Sequence, residues 1–336
     1  MSKTKKFALI GLGGYVAEHH LKAIHDTKNT LVCALDKFDS VGIIDSYFPE
    51  ADFFVEFERF DRHLDKLRRI GNKIDYISIC TPNYLHDSHI RFSLKQQADA
   101  ICEKPMVLNP WNVDALQEFE KETGKRIWNI LQLRLHPSIK ALKKKYNTTP
   151  TRTLSTSPPS PPLKKVRGEN VVHDITLTYI TSRGNWHNTS WKANMEKSGG
   201  VATNIGVHFF DMLGWIFGDT KKNTVHLHQH NKAAGYLELK NARIRWFLSI
   251  DSNDLPLEIK SKGQRTYRSI TIENEKIEFS DGFTDLHSQS FNEILKGNGF
   301  GVDDVRQSIQ NAYEIRNAIP VGAKGDYHPF LKNQDI

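Results

Sequence analysis

The run "KKFALIGLGGYVAEHHLKAIHDTKNTLVCALD", residues 5–36, limits what this chain can fold into more than any other stretch. Phe7 to Ile10 is an apolar run of strand length, and Gly11 to Gly14 imposes a tight turn. Val16 to about Ile24 carries helical periodicity, and Leu31 to Leu35 is a second strand-like run ending on Asp36. Strand, glycine turn, helix, strand and terminal acid is the order of a dinucleotide-binding unit. Its glycines let backbone approach a pyrophosphate, which rests on the N–H groups and positive end of the helix. Asp36 is placed to accept hydrogen bonds from the adenosine ribose, and its charge repels a 2′-phosphate, which favours NAD over NADP. The third glycine of the pattern is replaced by Val16, with Ala17 following.

Further strands with the same polarity are expected downstream. "IDYISICTPNYLH" reads as a buried strand entering a Thr-Pro-Asn turn, with a helix from about Leu85 to Lys95. "DAICEKPMV" is a strand over Ala100 to Cys102 that ends in Glu103-Lys104-Pro105. "RIWNILQLRLHP" is another, carrying Gln132, Arg134 and His136 at its far end. Ligands of open parallel sheets bind beyond the C-terminal strand ends, where Asp36, Thr81, Asn83, Lys104 and Arg134 all fall. A lysine after a strand is ordinarily solvated. Lys104 sits beside Pro105, which stiffens the turn and is a candidate for a cis peptide.

The chain has 336 residues, more than one core usually supports, so two domains are expected. Residues 1–137 read as a Rossmann-type parallel sheet domain. Residues 138–336 read as an α+β domain with a mostly antiparallel sheet, from the runs "VVHDITLTYIT", "TVHLHQH", "AAGYLEL", "ARIRWFLSI", "YRSITIE" and "KIEFS". Residues 147–170, rich in Ser, Thr, Pro and basic side chains, read as a flexible loop. The formal net charge of +7 is spread along the chain, with short clusters at 143–145, 164–167 and 221–222. That distribution disfavours nucleic acid and suits small anionic ligands. No apolar run has membrane-spanning length and the N-terminus does not read as a signal peptide. Cys33, Cys80 and Cys102 lie in apolar runs, as buried thiols of a reducing compartment do, so a cytoplasmic location is expected.

In "KSGGVATNIGVHFFDMLGWIFG", residues 197–218, Ile205, Phe209, Met212, Leu213 and Ile216 recur at helical spacing. Asn204 and His208 then share a second face, with Asp211 near it. "RGNWHNTSWK" offers Arg183 and Lys192 for phosphate or carboxylate, and Trp186 and Trp191 for stacking on a base. His226, His228 and His230 alternate as zinc ligands on one strand face would. No carboxylate or thiol in that run completes a set, so no metal is expected.

The turn "GLGGYVA", "TPNYLH", "EKP" and the helix "NIGVHFFD" together resemble the Gfo/Idh/MocA oxidoreductases along nearly the whole chain. "TLTYITSRGNWHNTSWK", "SGGVATNIGVHFFDMLGWIFG", "AGYLELKNARIRWFLSID" and "GFTDLHSQSF" are similar to the bacterial subgroup of UDP-N-acetyl-2-amino-2-deoxy-D-glucuronate 3-dehydrogenases. Most of the wider family has Asp where Asn204 stands; the subgroup shares the Asn.

The resemblance implies NAD held by Gly11, Gly13, Gly14, Tyr15, Val16, Asp36, Thr81, Pro82, Asn83, His86, Glu103, Lys104 and Gln132. It implies a UDP-sugar acid held by Lys104, Arg134, Arg183, Trp191, Lys192, Thr203, Asn204 and His208, with Lys104, His208 and Asn204 catalytic. Oxidation of the sugar 3-hydroxyl to a ketone would feed surface-polysaccharide (O-antigen, diacetamido-mannuronic acid) synthesis. A 2-oxo acid is a possible hydride acceptor, and a homo-oligomer, dimer or tetramer, is implied. The alternatives are a dehydrogenase of another nucleotide sugar or cyclitol, and a non-catalytic NAD(P)-sensing regulator. Histidine titrates near 6.5, whereas a lysine base must shift by about three units, or about 4 kcal/mol. On that ground His208 is expected to be the base, with Asp211 orienting it and Lys104 holding the oxygen. The reverse assignment stays open, because the nicotinamide's positive charge lowers a neighbouring lysine's pKa.

Overall fold

The computed structural model describes residues 4–39, 41–147, 172–273, 275–277 and 285–333. The first sheet holds β1 (Lys6–Ile10), β2 (Thr30–Leu35), β3 (Asp52–Phe54), β4 (Tyr76–Ile79), β5 (Asp99–Cys102) and β6 (Ile127–Asn129). Every pairing in it is parallel, in the order β3-β2-β1-β4-β5-β6. Helices cover both faces, so β1, β4 and β5 read as nearly unbroken apolar runs: Phe7, Ala8, Leu9, Ile77, Ile79, Ala100 and Ile101 are all buried. The strand order reverses direction between β1 and β4. The crevice at that switch point is bordered by the Gly11 turn and the Thr81 turn.

The second sheet holds β7 (His173–Thr181), β8 (Thr220–His228), β9 (Lys232–Leu239), β10 (Ala242–Ser249), β11 (Thr266–Ile272) and β12 (Glu275–Ile277). Its order is β12-β11-β7-β10-β9-β8, antiparallel except for the β7–β10 pair. The Val207–Phe217 helix lies on one face, where Phe209, Phe210, Leu213 and Ile216 pack with Ile175, Leu237, Ile244 and Trp246. Its other side is thereby free to face the first sheet.

Residues beyond 285 return to the first sheet. Phe291 and Ile294, on the Leu286–Leu295 helix, share a core with Phe7 and Leu9. Val302, Val305 and Ile309, on the Val302–Asn317 helix, pack with Ile77, Ile79 and Leu131. No described helix is long and apolar enough to cross a membrane. Of the loop expected at 147–170, Asn147 ends the Pro137–Asn147 helix, and 148–170 lie outside the described residues.

Candidate active site

At the nucleotide end, Gly11 has φ +95°, and a Cβ there would lie 2.7 Å from the Cys80 carbonyl carbon and the Thr81 nitrogen. Only glycine lets the first turn pass so close to the β4 turn. The following helix, Ala17–Asp26, has Val16 at its N-cap with no side-chain cap; the Ala17 and His19 N–H groups donate to the Gly14 (3.0 Å) and Val16 (3.1 Å) carbonyls, and what the helix offers an anion is the positive end of its dipole. Tyr15 is exposed, edge-on to His19, and half-buried Val16 packs against the β1 core. Asp36 accepts the Gly13 N–H (2.8 Å) and the Phe38 N–H (3.0 Å), which fixes its carboxylate at the mouth of the glycine turn.

These features fit a dinucleotide whose ribose is read by Asp36. Replacing Asp36 with Ser is expected to weaken NAD by about tenfold or more, as losing charged hydrogen bonds of about 1.5–3 kcal/mol implies. NADP is expected to gain relative to NAD. Titration of both cofactors checks this, and a wild-type preference for NADP would remove Asp36 from that role.

The Thr81–Asn83 turn serves largely to hold the protein together. Asn83 is buried and donates its amide to the Ser198 carbonyl (2.9 Å), tying this turn, through Pro82, to the second half of the chain. His86 is buried with Nδ1 2.7 Å from the Pro105 carbonyl and Nε2 2.8 Å from the Thr81 carbonyl. It joins two sheet-edge turns, and neither ring nitrogen is left for the cofactor contact expected of it. The Thr81 hydroxyl meets His89 Nδ1 at 3.0 Å.

The Lys104–Pro105 peptide is cis. Lys104 Nζ donates to the backbone carbonyl of Asn204 (3.1 Å), which joins the β5 edge to the second domain. The chain over Ala202–Gly206 is a π-helical turn, which passes into the Val207–Phe217 α-helix. Such widened turns are frequent at functional sites. From Val201 to Phe210, Asn204 and His208 are the positions that are not buried; Lys104 meets this segment at the Asn204 backbone carbonyl and its charge acts on His208. Gly199 (φ +77°) and Gly200 (φ +75°) are required by the backbone itself. Their backbone is left-handed, and a Cβ would strike Thr203 or Met195.

The site is strongly polarised. Burial lowers the Lys104 pKa; Glu103 opposes this, while the positive charges of Lys192 and Arg183 add to it. Burial also drives His208 well below its usual value, helped by Lys104 and Arg268. Arg183 is exposed, and Lys192 lies over the Trp186 (5.4 Å) and Trp191 (5.7 Å) rings. Together these cations form a basin for an anion beside Lys104. Gln132 Oε1 and Thr203 Oγ1 are buried with no hydrogen-bond partner among the described residues, as groups awaiting a ligand are.

Arg134 stands apart from this basin. It makes a two-point pair with Asp211 (Nε to Oδ2 3.0 Å, Nη2 to Oδ1 2.7 Å) and donates Nη1 to Asp304 Oδ1 (2.7 Å). Arg134 and Asp211 are both buried. Neither is placed as expected: Arg134 clamps the Val207–Phe217 and Val302–Asn317 helices rather than a substrate, and Asp211 serves Arg134 rather than His208. Breaking such a buried pair from one side costs about 3–5 kcal/mol. The three histidines also part company. The register of β8 slips between Val225 and Leu227 and the strand ends at His228, so His226, His228 and His230 do not line one strand face. His20 and His287 meet Glu103, the residue before Lys104, and Arg268 acts on His208 through its charge; no local pattern in the sequence marks any of the three.

Comparison with known proteins adds to this geometry. A model described as an oxidoreductase family with an NAD-binding Rossmann fold matches residues 5–130, and its C-terminal alpha/beta domain matches residues 168–314. The WlbA (WbpB) dehydrogenase from Thermus thermophilus, solved with NAD and UDP-GlcNAcA and again with NAD and alpha-ketoglutarate, is 44% identical, with a TM-score of 0.89. The match covers 97% of this chain and all of that one. The WlbA dehydrogenase from Bordetella pertussis shares the fold, with a TM-score of 0.72 at 16% identity over 97% of this chain and 99% of that one. Glucose-6-phosphate 3-dehydrogenase from Bacillus subtilis is 22% identical over 219 residues, 63% of this chain but only 54% of that enzyme's length.

Proposed function

The chain belongs to the Gfo/Idh/MocA family of NAD-binding oxidoreductases, and we propose that it oxidises the 3-hydroxyl of UDP-N-acetylglucosaminuronic acid to the 3-keto sugar. The observation that carries this reading is the meeting of Lys104 with the segment of Asn204 and His208 under the positive field of Arg183 and Lys192. A doubly charged diphosphate and a sugar carboxylate suit such a field. The substrate and NAD held by the Thermus thermophilus relative support the same choice.

Held at the Gly11 turn and Asp36, NAD would supply the acceptor for the hydride of the sugar carbon. The proton of the hydroxyl needs a base in the chain, and burial reverses the preference drawn from the sequence. It moves His208 away from neutrality and Lys104 towards it. A base works best when its pKa lies near the working pH, so Lys104, as the neutral amine, is the acceptor. A carbonyl can only accept, so Asn204 O holds one amine N–H and leaves the nitrogen lone pair for the substrate. Neutral His208 and the Asn204 amide then position the sugar. Thr203, Trp191, Lys192 and Arg183 border the anionic end.

Mixing purified protein with UDP-N-acetylglucosaminuronic acid and NAD is expected to raise absorbance at the NADH wavelength, and omitting the sugar acid to abolish the rise. If NADH stays bound, multiple turnovers will need a 2-oxo acid. The relative's complex with alpha-ketoglutarate motivates that second half-reaction. Faster reduction with a neutral nucleotide sugar would reject the sugar-acid assignment. A homo-oligomer is part of the proposal, to be read from solution mass.

A further inference from the structure

Directly beneath the Lys104 turn lies a buried cluster that the mechanism above does not use. Glu103 is buried, as is His20 on the Ala17–Asp26 helix, and His287 on the Leu286–Leu295 helix is nearly so. His20 Nε2 lies 3.0 Å and His287 Nε2 2.9 Å from the same oxygen, Glu103 Oε1. The other oxygen, Oε2, accepts the backbone N–H of Lys104 (3.2 Å). His20 Nδ1 is 2.6 Å from the Ser78 hydroxyl, and His287 stacks on His19 at 5.0 Å. Burial works to raise the Glu103 pKa, but the two histidine hydrogen bonds outweigh it and hold the acid ionised. An ionised carboxylate only accepts, so both rings donate from Nε2, and His20 Nδ1 takes the Ser78 proton.

Resting on the catalytic role given to Lys104, we propose that His287 is a positioning residue. By sharing Glu103 Oε1 with His20, it orients the carboxylate so that Oε2 fixes the Lys104 backbone. The catalytic turn is thus held from below by a helix contributed by the last part of the chain, 184 residues away in sequence. The three donor atoms lie within 4.8 Å of one another, a spacing that also suits a metal ion. Each histidine nitrogen already sits at hydrogen-bond distance from the carboxylate, which completes the cluster without one.

Two variants test this. His287→Leu keeps bulk but removes the donor, and His287→Gln restores an N–H donor. His287→Leu is expected to lower kcat about 10–100-fold, since a misplaced catalytic group costs up to about 10², while the KM for NAD stays near the wild-type value. His287→Gln is expected to recover most of the rate. Independently of activity, imidazole-selective NMR of the wild type is expected to show two protected Nε2–H signals, one of which disappears in His287→Leu. Equal rates in the two variants, a wild-type rate in His287→Leu, or absence of those signals overturns the proposal. So does a stoichiometric transition metal in the purified protein that both variants lose. Lys104→Met keeps the two readings apart: if it is inactive while His287→Leu is normal, only the positioning role fails, and if it is active, the catalytic reading fails.

Discussion

Replacing Lys104 with methionine is expected to lower kcat by roughly 10²–10⁴-fold, the range associated with a positioned general base, while NAD affinity stays near the wild-type value. Methionine keeps the apolar stem and removes only the titrating amine. Lys104→Arg is expected to be as inactive, because a guanidinium stays protonated at any working pH and so cannot take the hydroxyl proton. Thermal stability should move the other way. Burial lowers the folded-state pKa of Lys104, so the unfolded chain holds that proton more tightly and the cation works against folding. The methionine variant is therefore expected to melt no lower than the wild type. A large fall in both kcat and melting temperature would mark Lys104 as a structural group, and a modest fall in kcat alone would reduce it to a hydrogen-bond donor.

That pairing of lost rate with retained stability is expected where a site holds groups that the fold would not choose. Burial, with the positive charges of Lys192 and Arg183, works against the Lys104 cation, and burial with Arg183 works against the Lys192 cation, a conflict that an anionic substrate would relieve. Arg134 illustrates the opposite case. It too is a cation at a strand end, but Asp211 and Asp304 neutralise it, and nothing is left for a ligand to supply.

This contrast also shows what was legible in the sequence. The parallel sheet and its ligand edge rest on local signals, namely apolar runs, the Gly11 turn and terminal acids or lysines, so β1, β2, β4, β5 and Asp36 fall where expected. The short β3 strand, Asp52–Phe54, has too few residues to show periodicity and was missed. That Asn204 and His208 escape burial follows from spacing, whereas the π turn over Ala202–Gly206 does not. Its backbone depends on packing against the sheet and on contact with Lys104. Arg134 could not be told from a ligand-binding arginine, since its partners lie 77 and 170 residues away. The Glu103 cluster is invisible for the same reason. His20 and His287 become neighbours only when the last part of the chain folds back over the first helix. Long-range charge pairing thus decides which sheet-edge cations are already neutralised within the fold.

The pH dependence of kcat with His208→Asn separates the two possible bases. Activity needs the base in its neutral form, so it falls as pH drops through that group's pKa. Burial first, and then Lys104, hold His208 well below 6.5, so a histidine base would give an acidic limb well below pH 6.5. Lys104 is lowered from 10.5, and a lysine base would place the limb beneath that value but above the range in which His208 titrates. His208→Asn keeps a polar side chain of similar size and removes the imidazole. If His208 only orients the sugar hydroxyl, the variant should lose about 10²–10³-fold in rate, as for removal of one transition-state hydrogen bond. Its acidic limb should persist near the wild-type position, because His208 is already neutral wherever Lys104 titrates and the groups that lower Lys104, burial with Lys192 and Arg183, are unchanged. Should the wild-type limb lie well below pH 6.5 and vanish in His208→Asn, the histidine takes the proton. Lys104, tied to the Asn204 carbonyl, would then stabilise the developing alkoxide as a cation.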